Sequence, residues 1–163
     1  MGSYRPRSLF QPPRVPMLSE DAEEVRVFWE ENIPGPDFVY FVVELDSEGD
    51  YVKIGRAIDP PERIGSLRCG NPRLLQAQVL LVAWHPGRGA GVWEQTESSL
   101  HQNWLRKRIH GEWFRDAAEI LHIARAASQA QRDAFAAGVT GKRALSNAAL
   151  GAVWEFNKKE MAA

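Results

Sequence analysis

Phe38-Val39-Tyr40-Phe41-Val42-Val43-Glu44-Leu45 is apolar at odd and even positions alike. A strand with one wet face alternates apolar and polar residues, so this run reads as a central strand covered on both faces. Going outward, Asp46 to Asp50, with Gly49, supply a turn and Tyr51 to Gly55 a second strand, which makes a hairpin. Asp59-Pro60-Pro61-Glu62 is a helix start: Asp59 can cap, Pro60 suits the first position, and Glu62 stands where a capping-box acid belongs. That helix ends near Cys69, with Gly70 at its C-terminus. Gln76 to Trp84 form a third strand, Gly87, Gly89 and Gly91 a loop, and Val92 to Arg108 a helix. On the other side, Ser19 opens an acidic helix that Pro34-Gly35-Pro36 stops near Asn32.

Beyond Gly111-Glu112-Trp113-Phe114-Arg115, read as a compact connector, an alanine-rich helix spans Ala117 to Ala137 and a last one Lys142 to Lys159. The expected fold is α+β, a small three-stranded antiparallel sheet flanked by helices. Three parts are expected: a proline-rich lead-in and acidic helix over 1–36, a central domain over 37–116, and a helical C-terminal extension over 117–163.

With 163 residues, six tryptophans and seven phenylalanines, the chain can bury a core without covalent staples. One cysteine, Cys69, permits no internal disulfide and no zinc site made of several cysteines. No apolar run is long enough for a membrane span, and the arginine- and proline-containing start lacks the apolar stretch of a signal peptide. The expectation is a cytoplasmic protein with no membrane contact. A net charge of −1 argues against wholesale coating of nucleic acid, yet Arg106, Lys107 and Arg108 leave a local basic face.

Chemistry-bearing residues are few. Along the helix from Val92, Trp93, Leu100 and Trp104 share an apolar stripe, and Glu97 lies on its margin. A carboxylate there needs a partner: Arg108 or His101 on a partly wet face, or a hard cation such as Mg²⁺. Arg63, beside core-facing Ile64 and Leu67, is either a solvated helix arginine or a guanidinium for a phosphate. Tyr40 is either core with its hydroxyl satisfied locally or the orienter of an attacking water. His101 and His110 are too poorly matched for a metal pair, Ser98 and Ser99 near His101 lack the oriented acid of a triad, and no phosphate-loop GxxxxGK[ST] occurs.

In order along the chain, Val39-Tyr40-Phe41, Val52-Lys53-Ile54-Gly55, Asp59-Pro60, Arg63 and Leu67-x-x-Gly70-Asn71-Pro72 resemble the first half of a GIY-YIG nuclease domain. Glu97-x-x-Leu100-His101-x-x-Trp104-x-x-x-Arg108-x-x-Gly111-Glu112-Trp113-Phe114 resembles its second half, in the form typical of a phage-associated branch. The resemblance implies Mg²⁺-dependent hydrolysis of a DNA phosphodiester, with Mn²⁺ able to substitute. Tyr40 matches the tyrosine that positions or deprotonates the water, Arg63 the arginine that steadies phosphorane charge, and Glu97 the glutamate that holds the metal.

This chain departs from the pattern in three places, one being that the asparagine other branches carry after the glutamate helix has no clear counterpart. Phe38 replaces the first-signature glycine, and Lys53 stands where the second-signature tyrosine belongs, with Tyr51 two residues earlier on the same side of the strand. Lys53 is therefore a fourth catalytic candidate, with Tyr51, His101 and Glu112 as auxiliaries, Glu112 being equally well a structural acceptor. Arg106, Lys107 and Arg108 are the expected contacts to DNA, the expected partner. The competing reading is a GIY-YIG-fold module that binds DNA or protein without turnover, against which stands the joint presence of Tyr40, Arg63 and Glu97.

Overall fold

Residues 19–44, 51–71, 74–89, 91 and 95–161 are described by the computed structural model. The expected Asp46–Asp50 turn, Pro72, the helix start at Val92–Glu94 with Trp93, and the lead-in up to Met17 lie outside them. The element order is α1 Ser19–Asn32, β1 Phe38–Glu44, β2 Tyr51–Ala57, α2 Pro60–Cys69, β3 Leu75–Val82, α3 Thr96–Asn103, β4 Arg108–His110, β5 Trp113–Arg115, α4 Ala117–Ala136 and α5 Lys142–Met161.

β1 is central, as its two-sided apolar pattern requires. It pairs antiparallel with β2 on one side and β3 on the other. Val39 and Phe41 face a core with Leu100 and Trp104 of the α3 segment, Ile120 and Ala124 of α4, and Ala149 and Val153 of α5. Phe38, Tyr40 and Val42 face a second core with Val25 and Trp29 of α1 and Ile64 of α2. Edge-to-face contacts of Phe28 and Trp29 with Phe135 tie α1 to the end of α4. Helices thus cover both faces of β1, which is why no alternation survives in its sequence.

The sheet has five strands in the order β3-β1-β2-β5-β4, which corrects the expected three. The helix read as running to Arg108 stops at Asn103, and after one 3-10 turn at Leu105–Lys107 the chain becomes a hairpin. Gly111, at φ +56, makes the left-handed turn that returns the chain. β5 then pairs with β2, Val52 opposite Phe114 and Lys53 opposite Trp113. Burying Phe114 completely against the β2 edge outweighs extending an amphipathic helix by one turn. The expected connector is therefore part of the sheet. Gly70 also differs from expectation: it caps α2 at φ −97, in right-handed space, whereas Gly138, at φ +102, does the left-handed work after α4.

Candidate active site

β5 covers β2 only from Tyr51 to Lys53, and the Glu112 carbonyl takes one more amide, Ile54, at 3.0 Å. From Gly55 onward the β2 edge has no strand beside it among the described residues. The site is built around this notch. Tyr40 lies opposite Gly55 in the β1–β2 ladder and its ring crosses the Gly55 backbone. A Cβ built on Gly55 would sit 2.3 Å from the Tyr40 hydroxyl oxygen, so only glycine admits the phenol here. α2 starts at once after β2, with the Asp59 carboxylate accepting from the Glu62 amide at 3.2 Å, and this cap carries Arg63 back over the notch. The Arg63 guanidinium comes within reach of the Tyr40 hydroxyl.

From the opposite side the β4–β5 turn brings Glu112, which pairs with Lys53 at 2.9 Å. α3 brings Glu97, whose carboxyl lies within hydrogen-bonding reach of Glu112. His101, one turn further along α3, packs at a tilt of 56° against the Phe114 ring and places Nε2 2.9 Å from the Ile54 carbonyl. A carbonyl only accepts, so Nε2 carries the proton and the ring is locked to the strand; Glu97 Oε1 is 3.7 Å from the same nitrogen. The notch thus gathers Tyr40, Lys53, Arg63, Glu97, His101 and Glu112.

Electrostatics follow from this crowding. Burial, reinforced by the Glu112 charge, pushes Glu97 up to about 7, with Arg56 opposing. Burial likewise raises Tyr40, against the pull of Arg63 and Lys53, so the phenol keeps its proton at neutral pH. Two adjoining carboxylates half out of water are an oxygen donor set of the kind a hard cation could neutralise. Among the described residues no three His, Cys, Asp or Glu side chains stand together as a metal cluster. A cation held by Glu97 and Glu112 would therefore complete its shell with water and substrate oxygens, as Mg²⁺ prefers.

Other expected residues lie apart. Tyr51 is 48 % exposed at the far end of the β2–β5 ladder, opposite Arg115. Lys107 is half-buried between Asp116 and Glu119, whose hydrogen bonds overcome burial and raise its pKa. Arg108 donates to the Gly111 carbonyl at 2.6 Å and braces the hairpin, and Arg106 is exposed. Two residues at the notch escaped the sequence reading. Arg56 donates through Nε to Asp37 at 2.8 Å, beside Glu97. They are far apart in sequence, and only the β1–β2 register, Val39 opposite Arg56, brings them together.

A family model for the T5orf172 domain, a phage-associated domain found in endonuclease-like proteins, matches residues 37–128, from Asp37 at the notch into α4. No curated protein and no solved structure is significantly similar to the chain. No helix among the described residues is long and apolar enough to cross a membrane.

Proposed function

This chain belongs to the T5orf172 domain family, and on that premise we propose that it is a GIY-YIG-type endonuclease that hydrolyses a DNA phosphodiester by in-line attack of water, with Mg²⁺ as cofactor. One observation carries the reading: residues from β1, β2, α2, α3 and the β4–β5 turn meet at a single open strand edge, with the charges such a reaction needs.

Arg63 presents a planar fork to the phosphoryl oxygens, where negative charge grows as the water approaches. Tyr40, protonated and wedged against Gly55, orients that water by hydrogen bonding rather than by taking its proton. Lys53 holds Glu112 in place across the turn and adds positive charge at the position of the second-signature tyrosine. His101 fixes the ring face and strand against which Glu97 is held. Glu97 and Glu112 would hold the divalent cation, which when bound would supply Lewis acidity toward the phosphate. In this reading the ring of groups around the notch excludes no solvent by itself, so the DNA completes the site.

The test incubates the purified protein with supercoiled and branched DNA, with Mg²⁺ or with chelator, beside Glu97→Gln and Arg63→Ala. Cleavage by the wild type in Mg²⁺ alone, and its loss by a factor of about 100 or more in both variants, is the expected result. Folding is followed in parallel by circular dichroism. Undiminished cutting by Glu97→Gln would remove Glu97 as the metal ligand. DNA binding without cutting by the wild type would leave a binding module.

A further inference from the structure

The α2 side of the β2 edge carries Arg63; the α3 side carries a second guanidinium without an assigned task. Residues paired across a ladder share a face. Lys53 and Gly55 therefore lie on the side of Val42 and Tyr40, and Arg56 on the side of Val39. Those sides are the two separate cores, one under α1 and α2, the other under α3, α4 and α5. Arg56 and Arg63 thus approach the same stretch of open edge from opposite faces of the sheet. Glu112 lies between them, in reach of both Lys53 and Glu97.

Asp37 ties down one side of Arg56 only. The Nε–Oδ2 bond fixes the plane of the guanidinium, and its terminal nitrogens have no hydrogen-bond acceptor among the described residues. The side chain is 32 % exposed, and its charge bears on Glu97 at the notch. A guanidinium anchored by Nε with its terminal pair open has the geometry for two parallel hydrogen bonds to a phosphate.

We propose that Arg56 binds the backbone phosphate adjacent to the one attended by Arg63, so that the cut DNA strand crosses the β2 edge from the α2 side to the α3 side. The inference rests on the nuclease reading and adds the path of the substrate and its second anchor. Asp37 is the positioning residue for Arg56.

The experiment measures binding without turnover, in chelator, by fluorescence anisotropy of labelled duplex and branched DNA. Single phosphates are replaced in turn by neutral methylphosphonates, and the wild type is compared with Arg56→Ala, Arg56→Lys and Arg63→Ala. For the wild type, neutralising either of two neighbouring phosphates weakens binding by about tenfold. Arg56→Ala should lose the sensitivity at one of them and Arg63→Ala at the other, while Arg56→Lys restores part of the first. Arg56→Ala should also lower the dependence of log K on log salt by about one unit of slope. Thermal melts identify any variant that fails to fold, and Arg56→Lys then decides alone, by a reduced response at one phosphate. If Arg56→Ala responds to every methylphosphonate as the wild type does, the phosphate contact is wrong and the nuclease reading stands. If both alanine variants go silent at the same phosphate, the crossing path is wrong. If no DNA binds, inference and nuclease reading fall together.

Discussion

Gly55 and Glu97 show what single residues contribute at the notch. Any side chain at Gly55 must displace the Tyr40 ring, whose hydroxyl oxygen lies 2.3 Å from where a Cβ would be. Gly55→Ala is expected to destabilise the fold by about 1–3 kcal/mol, measured by urea unfolding, and to depress cleavage beyond that by moving the phenol. A variant of wild-type stability would show that Tyr40 relocates freely. Glu97 makes a pH-dependent contribution. In the folded, metal-free protein it holds its proton to about pH 7, against an ordinary value of 4.5. Between those values the folded chain binds more protons than the unfolded one, so stability falls as pH rises across the window, by about 3 kcal/mol at most. Glu97→Gln removes that penalty. The variant should match the wild type near pH 4.5 and exceed it in stability above pH 7, and a pH-independent difference would refute the assignment. That Glu97 sits at a core margin was legible from its place beside the Leu100–Trp104 stripe. Its neighbour Glu112 was legible as an auxiliary acid or a structural acceptor of the connector, but not its place beside Glu97, because nothing local says that a turn will swing it back to α3.

Elements differ in how local their causes are. α2 is specified by adjacent residues: Asp59 caps, Pro60 fills the first position, Ile64 is buried. Asp59→Ala should cost about 1 kcal/mol in urea unfolding and, by fraying the first turn that holds Arg63, lower kcat more than KM changes. A cleavage rate equal to wild type would separate Arg63 placement from the cap. The β4–β5 hairpin is the opposite case. Its strands are three residues each, too short for a periodicity to be read, and the helical pattern of Leu100 and Trp104 runs straight into it. Gly111 at φ +56 is its one local determinant, and Gly111→Val should cost about 1–2 kcal/mol in the same assay and uncouple the Lys53–Glu112 pair. The measurable sign is lost cleavage with Phe114 packing, followed by near-UV circular dichroism, perturbed as well.

On the scale of the whole molecule, the C-terminal helices belong to the core of the sheet. Gln131 of α4 is fully buried and substitutes for a strand: its amide donates to the Val82 carbonyl at 2.9 Å and accepts from the Val82 amide at 2.8 Å, and it also donates to Leu145 in α5 at 3.0 Å. Gln131→Leu keeps the bulk but leaves the Val82 amide and carbonyl without partners, and should destabilise the protein by about 2–4 kcal/mol. Removing residues 142–163 takes away Leu145, Ala149, Leu150 and Val153, all buried, and should leave a chain without a cooperative urea transition. A truncated protein that unfolds cooperatively would mean the sheet and α4 suffice.

By itself the sequence determined the elements whose causes are near neighbours: the two-sided β1, the capped α2, and the long α4 and α5; its resemblance singled out Tyr40, Arg63 and Glu97 as candidates. Tertiary structure alone decided that residues 108–115 form a strand hairpin, that among the described residues no strand pairs with β2 beyond Ile54, that Arg56 and Asp37 stand at the notch, and that the turn brings Glu112 to Glu97. The physical reason is range. Caps, glycine turns and helical stripes act over a few residues, whereas the burial of Phe114 and the register of β1 on β2 are free energies between distant segments, which no local pattern records.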